Sequence, residues 1–470
     1  MMEQAAISGM SGGAAAGPRS SSRPYRVAIV GGGFTGAAAA VAIADAINTP
    51  AELLLIDPSP DFGKGLAYGR ARAGELLNVR SRDASLFPDR PDDFLSWLSA
   101  RDPVGSPSPD HLGDTFMPRA TYGDYVSERA MAALSHAPLA SRFIQAQATA
   151  VERNADGRIV VKAGSEHFGV DVIIIATGYG VFSPKARFGR AAFSNLDDAD
   201  LDYGCHAVLV GTGLTMVDML FLLRDMGFQG TIDLVSRRGI LPAPHTERAV
   251  QAIPFRPDAD DDRPSDILHA FRQQAREAVA RGQSWQGLMN GFRPIARQTW
   301  QALGTAEQNA FLRHLKPYYF SHRHRLPLAS AIRLQRELSR NDTCIRRAAV
   351  MEVADDVVVL KDQRTGTSRR ITADLAIDCS GHHASAQTPL MKSLLESGLA
   401  RRPRAGAGID VTPDGRVHAS DGRPQSDLFA LGPLGQGALL EITGIREIVD
   451  QSRAMAGIIA SNVVRTLNAD

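Results

Sequence analysis

The sequence is short of cysteine. Its 470 residues hold three, Cys205, Cys344 and Cys379, and no two of them form a C-x-x-C pair. That excludes a disulfide framework, a paired-cysteine zinc site and the dithiol chemistry of disulfide reductases; no metal is expected. A count so sparse and odd fits a reducing, cytoplasmic setting in which each thiol is a small buried hydrophobe. A dominant charge is missing too, with 52 Lys plus Arg against 51 Asp plus Glu. No global field therefore draws the chain to nucleic acid or to an acidic membrane, and recognition has to be local.

An uninterrupted apolar run is also lacking. Val27 to Ala44 carries no charge and follows Arg26, which could suggest a signal peptide or a spanning helix, but Gly31, Gly32, Gly33 and Gly36 break its middle. A strand-like Val27-Ala28-Ile29-Val30 before those glycines makes a βα turn the better reading, and no membrane association is expected. Residues 1–23, rich in Ala, Gly and Ser, read as a flexible tail that buries nothing. The remaining composition, 44% apolar and 22% charged, is that of an ordinary globular chain. At roughly 150 residues per domain its length suggests about three modules.

What the chain has in quantity is glycine, 43 residues, and two clusters stand at nucleotide-binding spacing. In the first, Gly31-x-Gly33-x-x-Gly36 follows a strand and opens an Ala-rich helix, and a second apolar run, Leu53 to Ile56, ends in Asp57, 21 positions after Gly36. The first glycine permits the tight turn, the second lets a pyrophosphate approach the backbone, and the third lets helix and strand pack closely. The helix N-terminus supplies amide donors to the phosphates, and Asp57 would accept from ribose hydroxyls.

In the second cluster, strand Ala207 to Val210 leads into Gly211-Thr212-Gly213, with Met216 where a third glycine would stand, which would loosen helix–strand packing. The following strand, Thr231 to Val235, ends near Arg237 and Arg238 rather than an acidic residue. Paired arginines suit a ribose 2′-phosphate and hence NADPH; a solvated pair is the alternative, and NADH stays open.

The expected fold is α/β, with two Rossmann-like dinucleotide-binding domains and a helical insertion. Residues 24–200 would form the first part of one dinucleotide-binding domain, the FAD-binding one by the family resemblance these segments carry, and 356–470 its second part. Residues 205–355 would form an NAD(P)-binding domain with the insertion at about 256–340. A helix from about Gly444 to Val464, with Ile445, Ile448, Met455, Ile458, Ile459 and Val463 at helical spacing, is expected to pack on the first domain.

Together these segments resemble the FAD-NAD(P)-binding protein family of flavoproteins with two dinucleotide-binding domains, related to class B flavin monooxygenases. The resemblance extends over nearly all of the chain after Pro24. Phe62-Gly63-Lys64-Gly65-Leu66-Ala67-Tyr68-Gly69 and Leu76-Leu77-Asn78-Val79 resemble the family's early FAD segment, followed by Phe87-Pro88-Asp89 and Phe94-Leu95-x-Trp97-Leu98. Ala176-Thr177-Gly178-Tyr179, after a buried strand, is similar to the A-T-G-Y element of N-hydroxylating monooxygenases, and Leu428 to Pro433 resembles the late FAD element. The resemblance assigns Lys64, Asn78, Thr177, Gly178, Gly432 and Pro433 to the cofactor site. It implies that NAD(P)H reduces FAD and that O₂ then reacts, while the protein orients a substrate and excludes water. The F-x-G-x-x-x-H fingerprint of Baeyer–Villiger and related monooxygenases does not occur between the two turns.

The densest aromatic and cationic run, Pro317-Tyr318-Tyr319-Phe320-Ser321-His322-Arg323-His324-Arg325, is the candidate substrate site. Arg323 and Arg325 would hold a planar anion, and His322 or His324 would manage a proton. A helix-end linker with solvated charges is the alternative. The resemblance makes the expected activity hydroxylation of a small, planar, nitrogen-rich substrate, urate to 5-hydroxyisourate in purine metabolism being its most specific form. A flavin reductase serving a protein partner and a non-enzymatic FAD redox sensor are the other function classes.

Overall fold

The computed structural model describes residues 24–69, 71, 74–101, 109–136, 138–179, 187–192, 205–257, 263–381 and 388–467. The tail 1–23, residues 103–108 of a Pro-rich connection and the acidic stretch 258–262 lie outside the described residues.

Two largely parallel sheets organise the chain. The first runs in the order Arg416–His418, Pro424–Ala430, Val172–Ile175, Tyr25–Val30, Ala51–Ile56, Leu139–Ile144. Its central strands are continuous apolar runs because both faces are covered, as parallel strands require. Val27 is in register with Leu53 on one side and Val172 on the other. The helix Phe34–Ala46 starts straight out of the first strand's turn. Its Ala37, Ala38, Ala39 and Ala40 are all buried. Small side chains let this helix approach both the sheet and the closing helix Ile445–Leu467, and a larger residue there would overpack by about 1–3 kcal/mol. Ile445, Ile448, Met455, Ile459 and Val463 of the closing helix share the first helix's core, with Ile458 at its margin.

The second sheet has the order Ser368–Thr372, Val357–Asp362, Thr343–Ala354, Thr231–Ser236, His206–Val210, Leu375–Asp378, Arg190–Ala191. This corrects two sequence boundaries. Arg190–Ala191, expected in the first unit, and the strands between Val357 and Asp378, expected in its second part, all pair within the second sheet. The apolar run Val357 to Leu360 reads as a strand, but nothing local to it says which sheet it joins. The chain therefore leaves the second sheet only after Asp378, not at about 356.

The helical segment occupies the crossover between the parallel strands Thr231–Ser236 and Thr343–Ala354. It comprises Pro264–Ala280, Trp285–Ala302, Thr305–Ala310, a single π turn Phe311–Leu315, Lys316–Arg323 and Leu328–Leu338. Trp285–Ala302 lies within the expected helical insertion and carries Gly287, Gly291 and Pro294. A Cβ on Gly287 would stand 2.6 Å from the Gln251 carbonyl oxygen, so that glycine serves close packing. Trp300 donates from Nε1 to the Gly437 carbonyl at 3.0 Å, fixing the segment onto the returning part of the first unit. Among the described residues no helix is long and apolar enough to cross a membrane.

Candidate active site

At the first turn Gly31 has φ +109°, and a Cβ there would lie 2.5 Å from the Ala176 carbonyl oxygen. The strand end Ala176-Thr177-Gly178 thus passes directly beneath the glycine turn, and a side chain would push them apart. Gly63 donates its N–H to the Gly32 carbonyl at 2.7 Å, and a Cβ on Gly65 would stand 2.8 Å from the Gly33 Cα. The Phe62–Gly65 loop therefore folds over the turn. No side chain caps the helix at Gly33, which leaves its first-turn amides open to an anion.

The polar residues around this turn differ in availability. Asp57 accepts from Gly32 N–H at 2.6 Å and from Ser59 N–H at 2.7 Å, so its carboxylate shapes the turn and keeps lone pairs for a further donor. Lys64 is paired with Asp124 at 2.7 Å. Thr177 Oγ1 is buried without a hydrogen-bond partner among the described residues. Such an orphan beside an open glycine cradle fits a bound cofactor that would complete it.

The second turn repeats the arrangement. Gly211 has φ +116°, and a Cβ there would stand 2.5 Å from the Cys379 carbonyl oxygen. Cys379-Ser380-Gly381 is therefore the counterpart of Ala176-Thr177-Gly178, a match the sequence reading missed because Cys379 was taken only as a buried thiol. The Cys379 thiol is indeed buried, and desolvation raises its pKa well above the ordinary thiol value. Met216, in the third-glycine position, is completely buried in the core of the second unit. It fills the helix–strand gap, so the expected looseness is corrected. Gly213 begins the helix with no side-chain cap, like Gly33.

The two arginines after the neighbouring strand have different roles. Arg238 donates to the main-chain carbonyls of Arg313 and His314 and lies over the Tyr318 ring at 5.1 Å. It anchors the helical segment. Arg237 is exposed and has no partner among the described residues. Of the pair, only Arg237 is available to a 2′-phosphate.

The late element closes on the first turn. Gly432 has φ +68°, and a Cβ there would lie 2.8 Å from Thr35 Oγ1, while its N–H donates to Gln451 Oε1 at 2.9 Å. Gly432-Pro433 thus lies against the start of the first helix, although nearly 400 residues separate them in sequence. Asn78, in the early segment, accepts at its main-chain oxygen from His245 Nε2 at 3.1 Å, linking the two units. Burial and the charges of Arg325 and Arg80 push the His245 pKa down to about 3. It is therefore neutral near pH 7 and carries its proton on Nε2.

The aromatic–arginine run forms the helix Lys316–Arg323 and the turn after it. Here the structure corrects the proposed roles. Arg323 is buried and donates from Nε to Glu441 at 2.9 Å and from Nη2 to Glu447 at 3.2 Å. Its charge is already compensated, so it is a structural tie to the start of the closing helix. Tyr319 donates to Glu441 at 2.8 Å and Arg293 to Glu447 at 2.6 Å. His322 is exposed, its Nδ1 2.8 Å from the Tyr318 carbonyl oxygen and its ring edge-on to Trp285. The His324 pKa is driven down to about 3 by desolvation and by the cations Arg323 and Arg293, so it is a poor proton acceptor. Arg325 is buried with no carboxylate partner among the described residues, donating to Gln286 Oε1 and Asn290 Oδ1 at 2.7 Å each. Glu441, Glu447, Arg293, Gln286 and Asn290 were all missed in the sequence, since none belongs to a local motif.

Comparison with known proteins agrees with this geometry. Residues 28–180 match a family model described as FAD-NAD(P)-binding. No curated protein matches the chain. Among solved structures, the ornithine N-hydroxylase of Kutzneria sp. 744, solved with reduced FAD, NADP⁺ and L-ornithine, superposes with a TM-score of 0.62 at 16% identity, covering 94% of this chain and 99% of that one. The ornithine hydroxylase of Pseudomonas aeruginosa gives 0.60 at 15% identity, with 94% and 99% covered. The L-lysine 6-monooxygenase of Pseudomonas syringae gives 0.56 at 16%, with 95% and 100% covered. The chain thus shares its fold with flavoprotein monooxygenases over nearly their whole length.

Proposed function

We propose that the protein is an FAD-dependent monooxygenase that consumes NADPH and O₂ and hydroxylates a small nitrogen-containing substrate. The observation that carries this reading is the repeated crossing, Gly31 over Ala176 and Gly211 over Cys379, which builds two nucleotide cradles in one chain. The fold shared with the ornithine and lysine hydroxylases supports it.

Bound FAD would take a hydride from NADPH and activate O₂, so that one oxygen atom enters the substrate and the other leaves as water. The protein's own part is placement. Gly31, Gly33 and the open start of the first helix would receive the FAD pyrophosphate and Asp57 the ribose, and Thr177 Oγ1 would gain a partner. Gly211, Gly213 and Arg237 would hold NADPH. His245, neutral and donating to Asn78, fixes the early FAD segment against the second unit without adding charge there. Urate, converted to 5-hydroxyisourate, is the most specific substrate proposed, because the region around His245 and Arg325 combines aromatic rings with cations.

The test is to purify the protein, record its flavin spectrum, and follow NADPH and NADH oxidation with urate, ornithine, lysine and a panel of amines. Hydroxylated product is scored against hydrogen peroxide. Coupled formation of one hydroxylated product supports the reading. Peroxide alone with every candidate rejects it.

A further inference from the structure

Arg323 and Arg325 are two positions apart and both buried, at 7% and 5% of full exposure, yet they are wired in opposite ways. Arg323 meets the two carboxylates of Glu441 and Glu447. The partners of Arg325 are both neutral amide oxygens. Those amides are oriented from behind: Gln286 Nε2 donates to the Pro244 carbonyl at 3.0 Å and Asn290 Nδ2 to the Val250 carbonyl at 3.3 Å. Each oxygen is thereby aimed at the guanidinium. The amides fix the arginine's position and leave its charge undischarged.

A buried cation without a counter-charge is costly, and a guanidinium does not escape by losing its proton near neutral pH. Burial and the nearby cations Arg323, Arg293 and Arg80 lower the Arg325 pKa only to about 10. Arg80 is itself buried and directs most of its bonds to the main-chain carbonyls of Asp114, Thr246 and Glu247, with Asp114 Oδ1 at 3.4 Å. Across Arg80, Arg293, Arg323, Arg325, Asp114, Glu441 and Glu447 the positive charges outnumber the negative ones. Arg325 Nε is also buried with no acceptor among the described residues. An unsatisfied donor and an uncompensated charge on one buried group point to an anion.

We propose that Arg325, positioned by Gln286 and Asn290, binds the anionic group of a small planar ligand, a carboxylate or a ring-delocalised oxyanion. The planar preference comes from the setting. His245, which feels the Arg325 charge, packs on Phe116 at 4.9 Å between ring centroids, and Arg80 lies over the same Phe116 ring. His245 also bonds Asn78 of the segment that resembles the early FAD element, which would set the anion on the flavin side of the second unit. Placing it there as the substrate's acidic end rests on the monooxygenase reading; the anion site itself does not.

The test uses the full-length protein with FAD bound and needs no turnover. Benzoate and its neutral isostere benzamide are titrated by calorimetry. Benzoate should bind at least tenfold more tightly, and the preference should vanish in Arg325→Gln. Because Arg325→Gln could fold poorly, Asn290→Asp supplies a second arm: it places a carboxylate on Arg325, at the cost of the Nδ2 donation to the Val250 carbonyl, and should abolish benzoate binding. Equal binding of benzoate and benzamide by the unmodified protein overturns the proposal, as does a benzoate preference that survives in a folded Asn290→Asp variant. Charge-selective binding without hydroxylation of any substrate would reject the monooxygenase reading and leave the anion site intact. Hydroxylation without charge selectivity would do the reverse.

Discussion

Arg119 Nη2 lies 2.9 Å from Asp218 Oδ2, joining the helix Arg119–His136 of the first unit to the helix that follows the second glycine turn. The pair does not bring Asp218 to an ordinary carboxylate pKa. Desolvation is the largest influence and Glu75 adds a like charge, so that despite Arg119 the value rises from 3.8 to about 6. A folded pKa above the unfolded one means that the native state binds the extra proton. Stability from this group is then full below about pH 4 and lost as pH rises through 6, a difference on the order of 3 kcal/mol. Asp218→Asn should therefore gain little at pH 4 and be more stable than the unmodified protein at pH 7. Urea midpoints at the two pH values check this; an unchanged difference between the proteins would contradict it.

The two glycine cradles should fail separately. Gly31→Ala forces both a positive φ and a contact with the Ala176 carbonyl on an L side chain, and the purified protein should lose its flavin. Gly211→Ala does the same against Cys379. It should keep flavin absorbance but lose at least tenfold in the rate of reduction by NADPH. Flavin stoichiometry and anaerobic stopped-flow reduction separate the two.

Selectivity for NADPH should reside in Arg237 rather than in both arginines. Losing one charge-assisted contact to the 2′-phosphate is worth about 1.5–3 kcal/mol, so Arg237→Ala should raise the KM for NADPH roughly tenfold or more and leave that for NADH unchanged. Arg238→Ala should instead lower thermal stability, because its bonds go to Arg313 and His314.

Removing Arg323 leaves two buried glutamates without their shared cation. Arg323→Met should cost about 3–5 kcal/mol in denaturant unfolding, more than a surface ion pair would. Arg293 and Arg323 hold the Glu447 pKa down to about 2 although burial opposes them. Its stabilising contribution is present above the ordinary carboxylate pKa and lost as pH falls toward 2. In Arg323→Met that loss should begin at higher pH, as acid-unfolding curves would show.

Local patterns revealed what depends on neighbouring residues. Continuous apolar strands, a glycine turn and an Ala-rich helix are written within about 30 residues, and the first βαβ unit was legible from them. Register between distant segments was not. The contact of Gly432 with Thr35, and the strands from Val357 to Asp378 joining the second sheet, are fixed by tertiary packing. The arginine run shows the same limit. Composition picked out a charged, aromatic segment, but only its partners, Glu441 and Glu447 for Arg323 and Gln286 and Asn290 for Arg325, separate a structural ion pair from an open cation.

The central claim is that one chain binds FAD and NADPH and uses them to insert oxygen. The most direct measurement is an anaerobic titration of the purified yellow protein with NADPH, followed by admission of air and substrate, with hydroxylated product and peroxide quantified together. The expected result is bleaching of the flavin by one equivalent of NADPH and product formed in near-stoichiometric yield. A flavin that NADPH does not bleach, or a reduced flavin that returns only peroxide with every substrate, would contradict the claim.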